Sequence, residues 1–591
     1  MFVKINKLSL EMDPVALEER FEIFIVETTD CAFERGAGLF DVPLLCNNVR
    51  SVYFDKGNRF YVLLERAVDN KSRLKAIREE EGGEKITITA LSIAKVSERV
   101  VVSLLLYATA NYEDDTLRFN NLTGHLYCIS PKWLKKDKKG TILKIPSLEI
   151  SVKEDLRLSL AVRTFSSVRL KKSMTFTQKK PYEKYPKYVL EPNKTLRRAL
   201  VNDEGERYIL RQTHGDKSEI PFLDVQNYEA FLSSKMGVLQ KVVHTFNKKY
   251  AGVCQLHFCA LEIKDCMIAK KSMLKENEHR VKALLLEEQV RIVDTIQDEL
   301  SAQLCEGLKA GFREKYDIDV PVRKRLSKKG LNLRVIHNAS YYQEEKDPHD
   351  HIPEGMRVQH VTLEDFAGLS RAALTSVVHE LVVKHDLAKG KLSLFDWDCL
   401  EMEEAVTFGM RDESDSPRYF FMRIVPDGNF TIREEEWDVF STDAYMRALD
   451  IFETSKDVVG TVEYGHGDIN IIKNTQWITL PEIERIGNYL KSGNTYLRGK
   501  EKREELFCAI TDVKAFEKDD GLYYFSGIIG EGMRTKVVHA ANIRCVTAYE
   551  ESAIHTKDLL PLMNVPFVRN GQLTVMPFPM KYLREYIRAL R

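Results

Sequence analysis

Short runs of β-branched and aromatic residues, broken by Asp, Asn and Gly, dominate the chain from residue 1 to about 160. Examples are "RFEIFIVETT", "NRFYVLLERAV", "KITITALSIA" and "TLRFNNLTGHLYCI". Runs of this kind predict strands, and the polar residues between them predict turns. We therefore expect a β-rich N-terminal lobe.

Helical spacing replaces this pattern from about residue 225. In "NYEAFLSSKMGVLQKVVHTFNKKY" the apolar residues recur at intervals of three and four, which predicts helix. The same spacing runs through "KENEHRVKALLLEEQVRIVDTIQDELSAQLCEGLKAGFREKY", residues 275–316. We expect this second stretch to form one long helical connector.

Strand and helix patterns alternate after about residue 330. "LNLRVIHNAS" and "MRVQHVTLEDF" predict strands, and Thr362 is placed to cap a helix that starts at Leu363. "RAALTSVVHELVVKHDLAKG" predicts an amphipathic helix closed by Gly390. The alternation favours a small Rossmann-like layer.

The last third of the chain is led by a hairpin pattern. "RYFFMRIVPDGNFTIREEE" predicts a hairpin that turns at Asp427-Gly428. Helix, strand, helix and a second hairpin, "LYYFSGIIGEGMRTKVVHA", should follow, an order compatible with an RNase H-like fold. The predicted fold class is an α/β multidomain protein: a β-rich lobe, a helical linker, a Rossmann-like domain and an RNase H-like domain.

Composition limits the functions to consider. The 591 residues are too many for one core, and the net charge of +0 means that affinity for nucleic acid must come from local basic stretches. The N-terminus lacks a signal-peptide pattern, and the longest apolar run, "VVVSLLLYATA", is too short to span a bilayer. We expect a cytoplasmic protein without a membrane partner.

One basic and aromatic segment stands out. Residues 163–198 contain eleven lysines or arginines and two glutamates. Aromatic residues lie among these cations: Phe165, Phe176, Tyr182, Tyr185 and Tyr188. Cations that neutralise phosphates, beside rings on which bases stack, suit single-stranded nucleic acid, with Lys171, Lys172, Lys179 and Lys180 contacting the backbone. A solvated linker whose tyrosines cap a neighbouring domain explains the segment equally well.

Three other groups could bind metal, and each has a plainer explanation. Cys254, Cys259 and Cys266, with His257 among them, match no paired-cysteine spacing, which favours reduced thiols. "DPHDH", residues 347–351, fits a solvated loop, and the acids of "DWDCLEMEE", residues 396–404, fit a solvated connector.

Four polar residues suggest a phosphate site. Tyr342 and Lys346 are four residues apart and would share a helix face, Gln359 follows on a strand, and Lys384 follows on the amphipathic helix. A phenol, an amide and two ammonium groups suit a terminal phosphate. Their order and spacing resemble the guide 5′-phosphate pocket in the MID domain of Argonaute proteins, although Glu380 stands where that family often has another lysine.

The C-terminal stretch "FVRNGQLTVMPFPMKYLREY" carries the second half of the resemblance. It is similar to the last strand and helix of a PIWI domain, through Phe567, Val568, Arg569, Pro577 and Pro579. The resemblance implies that Arg591 joins the 5′-phosphate site, and that Arg569, Lys581 and Arg584 contact the nucleic-acid backbone. The implied domains are a β-rich domain (1–160), a basic and aromatic linker without a clear PAZ domain (161–250), a linker helix with MID (251–400) and PIWI (401–591).

Catalytic residues of active PIWI domains are missing from the matching places. The first aspartate should fall at Arg423 or Ile424, and the last acid or histidine at Val565. Asp468 could hold the place of the second aspartate, but one carboxylate does not hold a metal pair. We therefore expect a catalytically inactive PIWI domain, with no metal site of its own.

The resemblance implies a function and partners. The expected protein binds a short 5′-phosphorylated guide, DNA rather than RNA, with Mg²⁺ as the cofactor that the 5′-phosphate could require. It would recognise complementary plasmid DNA and recruit a helicase-nuclease, as the DdmE type of plasmid-defence subunit does with DdmD. Two alternatives remain: a guide-directed endonuclease whose unconventional active site includes Asp468 and the acids of residues 396–404, and a scaffold that binds acidic protein.

Overall fold

The computed structural model describes most of the chain. The described residues are 2–28, 41, 43–45, 48–68, 70, 74, 86–111, 117–168, 186–200, 202–210, 220–262, 267–268, 278–338, 341–342, 348–349, 352–364, 371–393, 397–400, 402–412, 418–435, 445–494, 514–519, 521–525, 536–537, 540, 542–563 and 576–590.

Both helices and strands are plentiful, so the protein is a mixed α/β chain. The helices are α1 (Pro14–Arg20), α2 (Glu98–Tyr107), α3 (Tyr228–Leu232), α4 (Lys235–Lys249), α5 (Glu278–Glu287), α6 (Glu299–Tyr316), α7 (Arg371–Lys389), α8 (Met446–Thr454), α9 (Ile483–Lys491), α10 (Thr556–Met563) and α11 (Pro579–Leu590). The strands are β1 (Phe2–Met12), β2 (Phe21–Thr28), β3 (Val49–Lys56), β4 (Arg59–Glu65), β5 (Ile86–Leu91), β6 (Arg118–Leu122), β7 (His125–Ile129), β8 (Lys135–Lys136), β9 (Ile142–Val152), β10 (Leu158–Ser167), β11 (Tyr188–Leu190), β12 (Leu196–Arg198), β13 (Tyr208–Leu210), β14 (Leu223–Asp224), β15 (Cys254–Glu262), β16 (Met267–Ile268), β17 (Arg291–Asp294), β18 (Val322–Arg323), β19 (Leu331–Ile336), β20 (Arg357–Thr362), β21 (Val406–Asp412), β22 (Arg418–Ile424), β23 (Phe430–Glu435), β24 (Val458–Tyr464), β25 (Ile469–Leu480), β26 (Lys514–Lys518), β27 (Gly521–Phe525), β28 (Lys536–Val537) and β29 (Asn542–Ala548).

The chain forms two compact units. The first comprises Met1–Glu262, Trp477–Ile510 and Ile528–Ala540, and the second comprises Ile263–Gln476, Thr511–Gly527 and Ala541–Arg591. The protein is therefore multidomain. The four-domain division expected at residues 160, 250 and 400 stays a prediction.

Antiparallel sheets dominate the first unit, as the N-terminal pattern predicts. One sheet has the order β3-β4-β2-β5, and another has the order β12-β11-β13-β10-β9-β7-β6. The apolar run "VVVSLLLYATA" supplies most of helix α2, whose residues 100–107 are all buried. Two side chains hold this helix: Ser51 Oγ donates to Leu104 O at 2.6 Å, and Tyr250 Oη donates to Leu105 O at 2.9 Å.

A parallel sheet with the order β18-β17-β19-β20 lies in the second unit, and its pairing is compatible with the predicted Rossmann-like layer, which stays a prediction as a domain assignment. Strands β19 and β20 match the two apolar runs from which they were predicted. Helix α7 ends as expected, because Gly390 adopts φ of +69° and its N–H donates to Asp386 O at 2.7 Å.

The single helical connector expected over residues 275–316 is wrong. Helix α5 ends at Glu287, strand β17 follows, and α6 begins at Glu299. Ile292 and Val293 point to opposite faces of β17 and are both fully buried, and β17 is paired at both edges by parallel strands. A strand buried on both faces is a short apolar run, so its pattern resembles that of the helices around it. Asp298 and Ser301 then form the capping box that starts α6.

Two smaller expectations about the Rossmann-like layer also differ from the structure. Leu363 starts no helix, since its N–H donates to Ile336 O at 2.8 Å in a turn, and α7 begins at Arg371. Tyr342 lies in a bend rather than on a helix, and Lys346 is outside the described residues.

The other sheet of the second unit has the order β16-β26-β27-β29-β25-β24-β21-β22-β23, and residues 477–480 of β25 belong to the first unit. The hairpin predicted at Asp427-Gly428 joins β22 to β23. Where one strand between two helices was expected, β24 and β25 form an antiparallel hairpin. The second predicted hairpin is wrong in its pairing: β27 pairs with β26 and β29, and β28 pairs with β14.

Among the described residues, no helix combines the length and the apolar character that crossing a membrane requires.

Candidate functional site

A group of charged side chains gathers where α7 and α11 pack in the second unit. Its members come from β20, α7 and α11, and we call them the lysine–glutamate cluster: Gln359, Glu380, Lys384, Lys581 and Glu585. The spacing of four residues in each helix places Glu380 beside Lys384 and Lys581 beside Glu585. The family resemblance assigned Gln359 and Lys384 to the guide 5′-phosphate and Lys581 to the nucleic-acid backbone.

Hydrogen bonds and ion pairs connect this cluster. Gln359 Nε2 donates to Glu380 Oε2 at 2.9 Å, and Lys384 Nζ donates to the backbone oxygen of Val358 at 2.7 Å. Lys581 Nζ donates to Glu585 Oε1 at 3.0 Å and lies 4.0 Å from Glu380 Oε1. Each lysine thus has a protein oxygen beside it.

Charge in the cluster is balanced. Glu380 and Glu585 are both 8% exposed. Burial acts to raise the pKa of Glu585, but Lys581, Arg588 and Lys384 outweigh it, so this pKa lies below its usual value. Two buried carboxylates therefore offset the charges of the two lysines. The family resemblance did not predict that Glu585 would be one of these carboxylates.

Of the other residues assigned to nucleic acid, the structure describes Tyr342 and Arg584. Tyr342 Oη accepts a hydrogen bond from the backbone N–H of His337 at 3.0 Å, just after strand β19. Its ring also packs against His337 and His349. Lys346 and Arg591 lie outside the described residues, and Arg584 is half-buried on α11.

The basic and aromatic segment is described only at its ends. Lys171, Lys172, Lys179, Lys180 and, further along the chain, Arg569 fall outside the described residues, so their contacts with nucleic acid stay predictions.

Two aromatic residues of that segment belong to the core and present no ring for stacking. Phe165 and Tyr188 are fully buried and touch each other edge to face, with ring centres 5.6 Å apart. Tyr188 Oη also donates to Asp41 Oδ2 at 3.1 Å. Their stacking role is wrong because strands β10 and β11 turn both side chains inward.

The described residues do not support either the cysteine group or the residues 347–351 as a metal site. Cys254 is 1% exposed, and burial raises the pKa of its thiol to about 12, so a metal-binding thiolate is disfavoured there. Cys266, Asp350 and His351 lie outside the described residues.

The places where a PIWI domain would have its first aspartate hold no metal ligand. Ile424 is fully buried, and Arg423 is exposed on β22. Arg423 borders a cavity of about 460 Å³, which is also lined by Glu404, Ala405, Thr407, Tyr445, Glu463, Tyr464 and Gly465. Val565 lies outside the described residues.

Beside this cavity, two histidines and an aspartate meet, and we call them the histidine–aspartate cluster: His466, Asp468 and His555. His555 Nε2 lies 2.7 Å from Asp468 Oδ2, and His466 Nε2 lies 3.1 Å from the same oxygen. The two Nε2 atoms are 3.2 Å apart. This group could hold a metal ion.

The β24–β25 turn and the segment before α10 position these three side chains. Gly467, at φ of +99°, makes the turn tight enough for Asp468 O to accept the N–H of Tyr464 at 2.9 Å. Asn470 is fully buried and fixes the other segment, because its Oδ1 accepts the N–H of His555 at 3.0 Å and its Nδ2 donates to Ala553 O at 2.6 Å.

Carboxylates and one aromatic ring surround the cluster. Glu404 Oε2 lies 3.8 Å from His466 Nδ1, and Asp558 Oδ2 lies 3.8 Å from His555 Nδ1. The hydrogen bond with His555 holds the pKa of Asp468 below its usual value. The Tyr464 ring lies against both imidazoles, with ring centres 5.7 Å from His466 and 4.2 Å from His555.

Sequence reasoning named Asp468 and Glu404 but missed both histidines. The "HGD" turn offered a signal for His466, since residues two apart at a tight turn can point to one side. No local signal marks His555, which is 87 residues from Asp468 along the chain.

Comparisons with known proteins give distant likenesses to solved structures. No protein family and no curated protein matches the chain. A solved structure described as "X-ray crystal structure of Marinitoga piezophila Argonaute in complex with 5' OH guide RNA" is similar to it at a TM-score of 0.34 and 9% identity, over 98% of this chain and 96% of that chain. A likeness at this level establishes neither a family nor a ligand.

Proposed function

We propose that the chain binds the 5′ end of a short guide strand at the lysine–glutamate cluster and uses the guide to recognise complementary nucleic acid. The observation that carries the proposal is the convergence of Gln359, Lys384 and Lys581 from three elements on one place. Their donors can bind phosphate oxygens. Base pairing would then supply the sequence specificity, as in other guided systems.

The charge balance refines this proposal. A terminal phosphate brings about −1.5 to −2 charges at neutral pH, and Glu380 and Glu585 already offset the two lysines. Guide binding should therefore be accompanied by a divalent cation, for which Mg²⁺ is suited because it binds carboxylate and phosphate oxygens.

The finer parts of the proposal follow the sequence resemblance. The guide is 5′-phosphorylated DNA, the target is plasmid DNA, and a helicase-nuclease of the DdmD kind acts on the recognised target. The chain itself does not cut through a PIWI-type metal pair, a proposal supported by the arginine and the buried isoleucine at positions 423 and 424.

Binding of labelled oligonucleotides tests the proposal. Lys384→Ala should weaken binding of a 5′-phosphorylated strand by roughly ten- to a hundredfold, since a charged hydrogen bond contributes about 1.5–3 kcal/mol. Binding of the matching 5′-hydroxyl strand should change little. Lys389→Ala, an exposed change on the same helix, is the matched control. Equal loss for both strands would refute the 5′-phosphate assignment.

A second function, guide-directed cleavage at an unconventional site, is favoured by one observation. Asp468 and Glu404, two acids of that alternative, lie on either side of His466 at the edge of the cavity. Incubation with guide, complementary target and Mn²⁺ separates the two functions. A cut that Asp468→Asn abolishes would establish cleavage, and intact target would support binding alone.

A further inference from the structure

We propose that His466, Asp468 and His555 bind a single divalent transition-metal ion, with zinc as the first candidate, and leave a fourth coordination position open to solvent. This inference is independent of guide binding, because its residues are separate from the lysine–glutamate cluster.

Distances within the cluster match those of a coordination shell. Zinc binds histidine nitrogen and carboxylate oxygen at about 2.0–2.2 Å, and two ligands of a tetrahedron with such bonds are about 3.3 Å apart. The three ligand atoms lie 2.7, 3.1 and 3.2 Å from one another. An ion can therefore be placed among them with small side-chain shifts.

Hydrogen bonding alone cannot satisfy these three contacts. Each Nε2 atom carries either one N–H or one lone pair, and an ionised aspartate only accepts. If both histidines donate to Asp468, their N–H groups face each other across 3.2 Å. If one histidine presents its lone pair, that lone pair faces the carboxylate. One of the three contacts is unfavourable in either case, and a cation at the centre makes all three favourable.

The outer nitrogens of both histidines face carboxylates. Glu404 and Asp558 each lie 3.8 Å from an Nδ1 atom, on the side away from the cluster. Histidines that bind metals almost always present their other N–H to a carboxylate, a carbonyl or water, which turns the Nε2 lone pair toward the ion. Two such carboxylates in one cluster are a second, independent feature of a metal site.

The surroundings hold the ligands in place. Asn470 fixes the backbone of His555, and the Tyr464 ring restricts both imidazoles. A ligand set held this way loses little conformational freedom when an ion binds. Asp468 and His555 lie on segments that are 87 residues apart in sequence, so the folded unit and not the local chain creates the site.

Ligand chemistry selects the class of ion. Imidazole suits zinc, copper, iron and nickel, whereas magnesium prefers oxygen ligands. The His466 side chain is 48% exposed, and the side chains of Asp468 and His555 are 26% and 23% exposed, so water can reach the ion. Three protein ligands with an open position are typical of zinc sites that polarise a bound water or substrate, as opposed to closed structural sites.

Metal titration of the full chain tests the inference. After chelator treatment, Co²⁺ should give the visible absorption of a tetrahedral site at one equivalent per chain, and Zn²⁺ should abolish it while excess Mg²⁺ does not. His555→Ala and Asp468→Asn should remove this signal. His257→Ala, an exposed histidine of the first unit, should leave it unchanged.

A milder variant guards against loss of folding. Glu404 is an exposed side chain, so Glu404→Gln should leave the fold intact and weaken Zn²⁺ binding by roughly ten- to a hundredfold. A Co²⁺ signal that persists in His466→Ala and His555→Ala, or Zn²⁺ binding to the wild type no tighter than to these variants, would overturn the proposal and leave a hydrogen-bonded cluster only.

Discussion

The side chain of Asn470 accepts a hydrogen bond from the backbone N–H of His555, although 85 residues separate them along the chain. The same side chain donates to Ala553 O at 2.6 Å. One fully buried amide therefore fixes the segment that carries a cluster histidine. Two backbone groups depend on it for a hydrogen-bond partner.

Asn470→Ala should destabilise the second unit. Each buried backbone group left without a partner costs about 1–3 kcal/mol. Chemical unfolding followed by circular dichroism measures the change in the free energy of unfolding. Asn494→Ala, at an exposed position, is the control and should change stability by less than about 0.5 kcal/mol. Equal stabilities for the two variants would show that Asn470 does not support this segment.

Glu380→Gln should tighten binding of a 5′-phosphorylated guide. The change removes one of the two carboxylates that offset Lys384 and Lys581, and it keeps an acceptor for Gln359 Nε2. We expect affinity to rise by roughly tenfold, or about 1.4 kcal/mol, and to depend less on Mg²⁺, since a bound phosphate would no longer face this like charge.

Fluorescence anisotropy at several Mg²⁺ concentrations measures this effect. Glu314→Gln, an exposed change on α6, removes the same charge elsewhere and should have no effect. Weaker binding by the Glu380 variant would mean that this carboxylate holds the cluster together and does not repel phosphate.

Asp41 should make the first unit less stable as pH rises. Burial raises the pKa of this carboxyl to about 6, against about 3.9 in the unfolded chain. The folded state thus binds the proton more tightly, and this contribution is lost as pH increases from about 4 to about 6. The loss should approach 2–3 kcal/mol, at about 1.4 kcal/mol for each pKa unit.

The free energy of unfolding of the wild type and of Asp41→Asn, measured between pH 4.5 and 8, tests the direction of this pH dependence. The wild type should lose stability relative to this variant over that range, whereas Glu204→Gln, an exposed change, should run parallel to the wild type. A wild type that gains stability relative to Asp41→Asn would contradict the direction of the pKa shift.

Replacement of two helix glycines by alanine should change the stability of the protein in opposite directions. A Cβ at Gly237 would lie 2.1 Å from the backbone oxygen of Phe231. Gly237→Ala should therefore lower the free energy of unfolding by about 3 kcal/mol or more. Gly307 on α6 has no atom within 4 Å of the added Cβ, so Gly307→Ala should stabilise by about 0.5–1 kcal/mol. Thermal melts of both variants measure the change in stability. Stabilisation by both substitutions would be incompatible with the close contact at Gly237.

Two strands of the parallel sheet and the helix α7 were predictable because their patterns are local. Strands β19 and β20 are apolar runs bounded by turns, and Gly390 marks the end of α7. Strand β17 was missed because its four residues continue the helical spacing of α5 and α6. Only pairing with strands on both sides identifies it.

Candidate sites depend on contacts that local patterns do not contain. A family resemblance led to Gln359, Lys384 and Lys581, but nothing in the sequence indicated that Glu585 would offset the lysines. His555 joins Asp468 through the pairing of distant segments, held by Asn470. Residue type alone would not distinguish it from His257, which is exposed on β15.

The closeness of the Tyr464 ring to both imidazoles has a spectroscopic consequence. Its phenol ring lies within 6 Å of each histidine, so an ion bound between them would sit close enough to alter tyrosine emission. Paramagnetic ions would also broaden the ring resonances of this residue. The ring resonances of Tyr464 could thus report metal occupancy without an attached dye.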